Sequence, residues 1–403
     1  MSLPINFIDN KFLLKQDDVL NFSLEDKTPE QRIKLFIIRD LINLGWDIKF
    51  GKKIEVVPPE NYDKDIIKQT MSVKRLEIIK QNRIWIDKNI GIARANLANG
   101  NEVMFSNIDP IIEVCQTQKQ RDLFRIFRYY WSSPHSDYVG RRIRFIIRDN
   151  ALPNKPVIGI AALGSPIIRI PDRDDFIGWN RQTRTKNIIY TMDAYVIGAL
   201  PPYNYLLGGK LISILLASNE IRKIYEDRYR GITTIIDKRE ANSLVGIFTT
   251  SLYGKSSQYN RITYNKRLLY QPIGKTKGYG TLHLSKETIQ EMIKFLNLKD
   301  IHVDNIYGNG PNWVMRVIKK AGELVGFDSE LLLKHSFNRN IYFLSLTENY
   351  KEILNGKICE PIYFNYSKEE LVDYWKNRWF KKRIERTDVR AKVIKFKQQE
   401  FII

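Results

Sequence analysis

The chain has 403 residues, 43% of them hydrophobic and 12% aromatic, which is long enough to bury a sizeable core and too apolar for a disordered protein. Its 65 Lys and Arg against 45 Asp and Glu leave a net charge of +20, which implies a polyanionic partner: nucleic acid first, an anionic membrane surface second. Two cysteines, Cys115 and Cys359, exclude a disulfide framework, and four isolated histidines with no Cys-x-x-Cys leave no zinc signature, so no metal is expected. The opening Met1-Ser-Leu-Pro-Ile-Asn-Phe-Ile-Asp9 lacks the basic and apolar regions of a signal peptide. The longest apolar passage, Tyr195 to Ser218, is interrupted by two prolines, three glycines and Lys210, whereas a membrane span needs roughly 20 clean apolar residues. A cytoplasmic protein without membrane contact is expected.

In chain order, residues 1–118 read as a helical N-terminal region with a hairpin. Thr28-Pro-Glu-Gln31 starts a helix that Gly45 stops. Trp46–Phe50, Gly51-Lys-Lys53 and Ile54–Val57 predict a β-hairpin, and residues 63–98 have a helical period. An α/β (α+β) core with a mixed central sheet is expected over 119–345. It opens with an amphipathic helix, Lys119 to Trp131, that places Arg121, Arg125 and Arg128 on one face. The strand Arg141–Arg148 follows, with Arg142, Arg144 and Arg148 on one side and Ile143, Phe145 and Ile147 on the other. Arginine presents a planar fork of donors that matches phosphate oxygens, so these arginines are candidate nucleic-acid contacts; a solvated charged face is the alternative.

Pro156–Gly164 and Tyr195–Leu200 are apolar strands. Between them Asp172, Asp174 and Asp175 form the densest acidic cluster. It reads either as oxygen ligands for a divalent cation or as a turn in which Asp174 or Asp175 caps the next helix. After Pro201-Pro202, the turn Gly208-Gly209-Lys210 opens a helix. Its free N–H groups and dipole make Gly208, Gly209 and Lys210 a candidate anion site. Ile232–Asp237 predicts a strand ending on a lone carboxylate, so Asp237 is a candidate acid–base residue or metal ligand, with Tyr259 near the same site and a plain salt bridge from Asp237 to Lys238 or Arg239 as the alternative. From Ala241 to Lys286 there are seven Lys or Arg, six aromatics and no acid. Lys255, Arg261, Lys275 and Lys277 are candidate phosphate contacts there, and Tyr253, Tyr259 and Tyr279 candidate stacking platforms. Residues 346–403 read as a basic helical appendage: between Lys376 and Lys397 ten Lys or Arg face two acids, with Trp379 and Phe380 among them.

Ile177-Gly-Trp-Asn180, Tyr253-Gly-Lys-Ser-Ser-Gln-Tyr-Asn-Arg261, Gly274-Lys-Thr-Lys-Gly-Tyr-Gly280 and Gly310-Pro-Asn-Trp313 together resemble the DruA family of Druantia anti-phage defence systems, over about residues 115 to 350. The resemblance implies an antiviral component that acts with other proteins of its system. The core is more loosely similar to GNAT-like enzymes, whose acyl-CoA pyrophosphate sits at a strand–turn–helix like that at Gly208, although the glycine spacing here departs from theirs. The cofactor, if any, stays unknown. Three readings stay open: nucleic-acid binding for partner proteins, a GNAT-like or metal-dependent enzyme on nucleic acid, and a docking scaffold.

Overall fold

The computed structural model describes residues 5–6, 22–50, 54–57, 64–131, 140–233, 239–281, 283–303, 311–335 and 337–403. The turn expected at 51–53, the carboxylate Asp237 and the glycine-rich stretch 305–310 lie outside the described residues. The chain forms two compact units: a helical unit, Met1–Lys74 with Thr276–Arg339, and a sheet unit, Arg75–Lys275 with Asn340–Ile403. The boundaries expected at 118/119 and 345/346 both fall inside the sheet unit. No helix among the described residues is long and apolar enough to cross a membrane.

In the helical unit, Thr28 and Gln31 form a capping box at the start of the helix Pro29–Ile42, as Thr-Pro-Glu-Gln predicts. On that helix Asp40, 5% exposed, accepts from Ser285 N and Thr288 Oγ1, each at 2.6 Å. This ties down the N-terminal turn of the helix Lys286–Leu298. The expected hairpin is present, Asp47–Phe50 pairing antiparallel with Ile54–Val57. His283 and His335 are buried with ring centroids 5.6 Å apart. His283 Nε2 donates to Leu332 O at 2.6 Å, and His335 Nδ1 accepts from Phe337 N at 3.1 Å. Burial pushes His283 down to about 4 and His335 well below its ordinary range.

The sheet unit contains the mixed α/β sheet expected. Its strands are β1 (Pro110–Val114), β2 (Arg142–Asp149), β3 (Val157–Gly164), β4 (Thr191–Ala199), β5 (Gly246–Ser251), β6 (Tyr270–Lys275) and β7 (Asn340–Ser345), in the order β6-β7-β5-β4-β3-β2-β1. Every neighbouring pair is antiparallel except β4 and β5. These two pair only at Thr191–Gly246, Met192–Ile247 and Asp193–Phe248, and then part. Side chains satisfy β4 carbonyls beyond that point: Thr249 Oγ1 donates to Ala194 O at 2.8 Å and Gln258 Nε2 to Ile197 O at 3.1 Å. The strand expected at 232–237 is represented among the described residues only by the bridge Thr233–Glu240.

One face of the sheet carries a single apolar cluster. Ala161, Leu163, Met192 and Ile247 meet Leu211 of helix α5 (Gly208–Leu215), Leu371 and Trp375 of α7 (Lys368–Trp375) and Val393 of α8 (Thr387–Lys395). The other face carries two. Ile146, Ile160 and Val196 lie under α1 (Arg83–Ala95) and α2 (Gln118–Arg128), while Phe248 and Phe343 pack with Ile177 of α3 (Pro171–Ile177) and with Trp179. Strand β4 runs between these two clusters. It bulges there: Ala162 pairs with Val196 and Leu163 with Ala194, which leaves Tyr195 as the extra residue, packed against the same cluster as Val196.

The C-terminal segment is part of this core. Trp375, 1% exposed, donates from Nε1 to Leu207 O at 3.2 Å, and Arg383 Nε donates to Tyr205 O at 3.0 Å. Gly100 N donates to Phe396 O at 2.8 Å, and a Cβ on Gly100 would stand 1.6 Å from Val393 O. A Gly100→Ala change therefore forces α8 off its seat. We expect a loss of about 1–3 kcal/mol, typical of overpacking, read as a lower melting temperature with faster proteolysis within 387–403.

The histidine pair predicts a pH effect in the helical unit. The unfolded chain takes up a proton at His283 near its ordinary value of 6.5, and the folded unit only near 4. Stability is unaffected above 6.5 and falls as pH drops from about 6.5 towards 4. A His283→Gln variant should lose less stability than the wild type across that window, in denaturant melts at a series of pH values.

Candidate nucleic-acid interface

Two basic stretches that lie far apart in sequence meet at α5. Leu207, in the left-handed region at φ 60°, turns the chain into α5. The Lys210 amine at its first turn donates to Ser257 O and lies 5.2 Å from the Trp379 ring centroid. Burial draws the Lys210 pKa down. Trp379 sits in a π-helical turn, Lys376–Phe380, that continues α7. It packs edge-on against Tyr374 at 5.4 Å, and the Tyr374 hydroxyl donates to Thr263 O. Tyr374 in turn meets Tyr264 at 5.0 Å, and Tyr264 meets Tyr366 at 4.9 Å. Tyr264 belongs to a tight hairpin, Thr263–Tyr264 with Arg267–Leu268, whose turn residues Asn265 and Lys266 both have positive φ. Lys255, Arg261, Lys266, Arg378, Lys381 and Lys382 are exposed on the segments that carry these rings.

The glycines of the candidate anion site face protein. A Cβ on Gly208 would stand 2.7 Å from Tyr203 O, and one on Gly209 would stand 3.1 Å from Gln258 Oε1. Tyr259 is in the interior, 8% exposed, with rings of Tyr270 and Tyr342 at 5.3 and 5.2 Å. Burial pushes its phenol up to about 12. Tyr253 is half-buried. In the helical unit Lys277 is exposed, and the hydroxyl of Tyr279, 44% exposed, donates to Glu330 at 3.0 Å.

The arginines of α2 and β2 belong to the two-cluster face. Arg121 is held near the start of α2 by Gln116 O at 2.6 Å. Arg125 lies 4.0 Å from the Trp85 centroid and donates to Asn82 Oδ1 at 2.9 Å. Arg128 is 5% exposed, and burial lowers it to about 10. Arg142 is exposed and Arg144 half-buried, its guanidinium 5.4 Å from the Phe124 ring. The expected alternation of β2 holds for Ile143, Phe145 and Ile147, which point into the single cluster of the opposite face. Arg148 is taken up by Glu113 at 2.5 Å and Asn96 at 3.0 Å.

The acidic cluster is dispersed. Asp172 Oδ2 accepts from Lys275 N at 2.8 Å, where Gly274 at φ 141° leaves no room for a side chain: its Cβ would meet Asp172 at 2.4 Å. Asp174 is bound by Arg173 at 2.7 Å and Arg184 at 2.9 Å, and Asp175 is exposed. The cap expected from Asp174 or Asp175 is instead supplied by Asn180, whose Oδ1 accepts from Thr183 N at 2.9 Å. Asp174 cannot serve because it lies within α3 and is held by arginines. No group of three potential metal ligands occurs among the described residues.

Asp193 escaped the sequence reading. It is 8% exposed, its Oδ2 accepts from Ile167 N at 3.0 Å, and its Oδ1 is buried with no hydrogen-bond partner. Burial raises its pKa to about 6, against the pull of the Ile167 amide and of Arg173. The available signal was a single acid inside the apolar strand Thr191-Met-Asp-Ala-Tyr-Val196.

These features define a strongly basic α/β protein built on one seven-stranded mixed sheet, with an aromatic, lysine-rich surface on one face and gathered arginines on the other. The family model described as Druantia protein DruA matches residues 60–356. The Druantia protein DruA of Escherichia coli (strain UMEA 4076-1) is 36% identical over 339 residues, 82% of this chain and 82% of that protein. No solved structure matches significantly. The chain belongs to the DruA family, and is thus a component of Druantia anti-phage defence.

Proposed function

We propose that this component binds nucleic acid through the surface around Lys210 and presents it to other proteins of its defence system in the cytoplasm. The observation that carries this reading is the junction of the two basic, aromatic stretches through Lys210–Trp379 and Tyr374–Tyr264. Lysines and arginines on exposed segments supply phosphate contacts, and the half-buried rings of Tyr264, Tyr374 and Trp379 supply apolar faces for bases. The +20 net charge adds long-range attraction. Gln258 and Tyr259 fill the space where β4 and β5 part, which favours a binding surface there over a substrate slot.

A Lys255→Ala/Arg261→Ala/Arg378→Ala/Lys382→Ala variant tests the reading, because all four side chains are exposed. Binding to labelled single- and double-stranded DNA and RNA is measured over a salt series. The wild type should bind with a steep salt dependence, and the variant should lose about three units of log–log slope if its four residues each hold a phosphate. No binding by the wild type, or an unchanged slope in the variant, would overturn it. Salt-insensitive capture of a partner protein would instead place docking on this surface.

A further inference from the structure

We propose that the outer edge of β1 is a docking site for an extended segment of another protein. The segment adds to the sheet as a further strand, apolar on the side of Ile112 and Val114 and acidic where it passes Arg121. This site uses none of the residues of the surface around Lys210, and so stands or falls independently of it.

Strand register shows which groups the edge offers. β1 ends the strand order, with only β2 paired to it among the described residues. Cys115 N donates to Arg144 O, and Asn150 N to Asp109 O. Alternate residues of an antiparallel strand bond the neighbour, so Asp109, Ile111, Glu113 and Cys115 face β2, and Ile112 and Val114 turn both N–H and C=O outward. No hydrogen bond among the described residues takes up those outward groups. β3 is buried at every position, whereas β1 is half-buried from Ile111 onward. The far edge of the sheet is closed. There β6 contains Pro272, loses register between Pro272 and Gly274, and has its Lys275 N–H capped by Asp172 at 2.8 Å. Folds blunt the strand edges that must stay bare, and an edge left open accepts an added strand. β1 has neither an internal proline nor a bulge against β2.

The side chains along the edge select the occupant. Ile112 and Val114 are half-buried against the single apolar cluster, so a strand laid beside them matches them with apolar residues. On the other face Cys115 lies opposite Arg144, and the Arg121 guanidinium reaches Gln116 O, one residue further on, at 2.6 Å. Burial pushes the Cys115 thiol up to about 12, Glu113 adds to that rise, and the charges of Arg144, Arg121 and Arg148 oppose it. Arg148 is paired with Glu113. Arg121 bonds only Gln116 O and Gln118 Oε1, Arg144 lies against the Phe124 ring, and neither makes an ion pair among the described residues. An acid opposite Cys115 compensates that charge, while Glu113, already bonded to Arg148 and Gln120, calls for a neutral residue opposite itself. A second copy of this chain fits poorly. In the register centred on Ile112, each Val114 O would face Pro110, which has no N–H, and both chains carry a net charge of +20.

The probe is a labelled, acetylated peptide, Glu-Val-Thr-Val-Thr-Val, which antiparallel to β1 places its glutamate opposite Cys115 and its valines opposite Val114, Ile112 and Pro110. It is titrated against the full chain by fluorescence anisotropy, and amide hydrogen exchange is followed over residues 110–116. The Ile112 and Val114 amides should exchange freely in the free chain and at least about tenfold more slowly with saturating peptide. Methylating the valine nitrogens, which face β1, should weaken binding by about tenfold; methylating the threonine nitrogens, which face away, should leave it within about twofold. Lysine in place of the glutamate should weaken binding about fivefold, and Arg121→Gln should remove that preference. Ile112→Pro deletes an outward N–H where an edge strand tolerates proline; it should weaken the peptide about tenfold and leave the melting temperature nearly unchanged. Protection of the Ile112 and Val114 amides in the free chain overturns the proposal: constant protection means that the chain covers its own edge, and protection rising with concentration means that a second copy does. Absence of peptide binding, equal effects of the two methylation patterns, or equal affinity for the glutamate and lysine peptides also overturns it.

Discussion

The three-residue parallel junction of β4 and β5 is the constraint on which the sheet unit depends. Two parallel strands that separate after so short a run expose backbone carbonyls in the middle of a sheet, where they have no neighbouring strand. The chain answers with side chains: Thr249 reaches Ala194 O, and Gln258 reaches Ile197 O while also bonding Ser213 Oγ of α5 at 3.0 Å. Tyr259 follows Gln258 inward and joins Tyr270 and Tyr342. The acid-free segment is thereby anchored at its centre. The same parting divides the other face into two apolar clusters, with β4 and its lone carboxylate between them.

Much of the local structure was legible in the sequence. Thr28-Pro-Glu-Gln31 announced its capping box, the β2 alternation sorted its isoleucines and phenylalanine to one face, and Pro201-Pro202 with Gly208-Gly209 marked the turn into α5. These signals are short in range, set by dihedral preference, period or cap chemistry. The arginines of α2 and β2 were also visible; burial raises the Tyr195 phenol, and the charges of Arg144, Arg142 and Arg128 pull against that rise.

What stayed hidden depends on pairs distant in sequence. Asp172 looked like a metal ligand or part of a capping turn because its true partner, the amide of Lys275, is 103 residues away. Tyr195 acquires its orientation from a register shift between two strands, which no single-strand pattern records. The C-terminal segment read as an appendage because its charge is conspicuous, while the burial of Trp375, Phe380 and Val393 is decided by α5 and by the backbone space at Gly100. Tyr259 was chosen for chemistry by composition alone, and its burial follows from Gln258 beside it.

The helical unit's second segment, Thr276–Arg339, interrupts the sheet unit between β6 and β7. Its ends are adjacent, Thr276 N donating to Arg339 O at 2.9 Å, directly beyond the paired Lys275 and Asn340. β7 sits between β5 and β6, so the ribosome must complete the inserted segment before the strand that joins the two halves of the sheet emerges. During synthesis β5 and β6 wait with open edges, and the sheet closes only when the insert is already made. The insert is in this sense a hairpin loop grown to the size of a domain, and a short turn from Lys275 to Asn340 would preserve the sheet's topology without it.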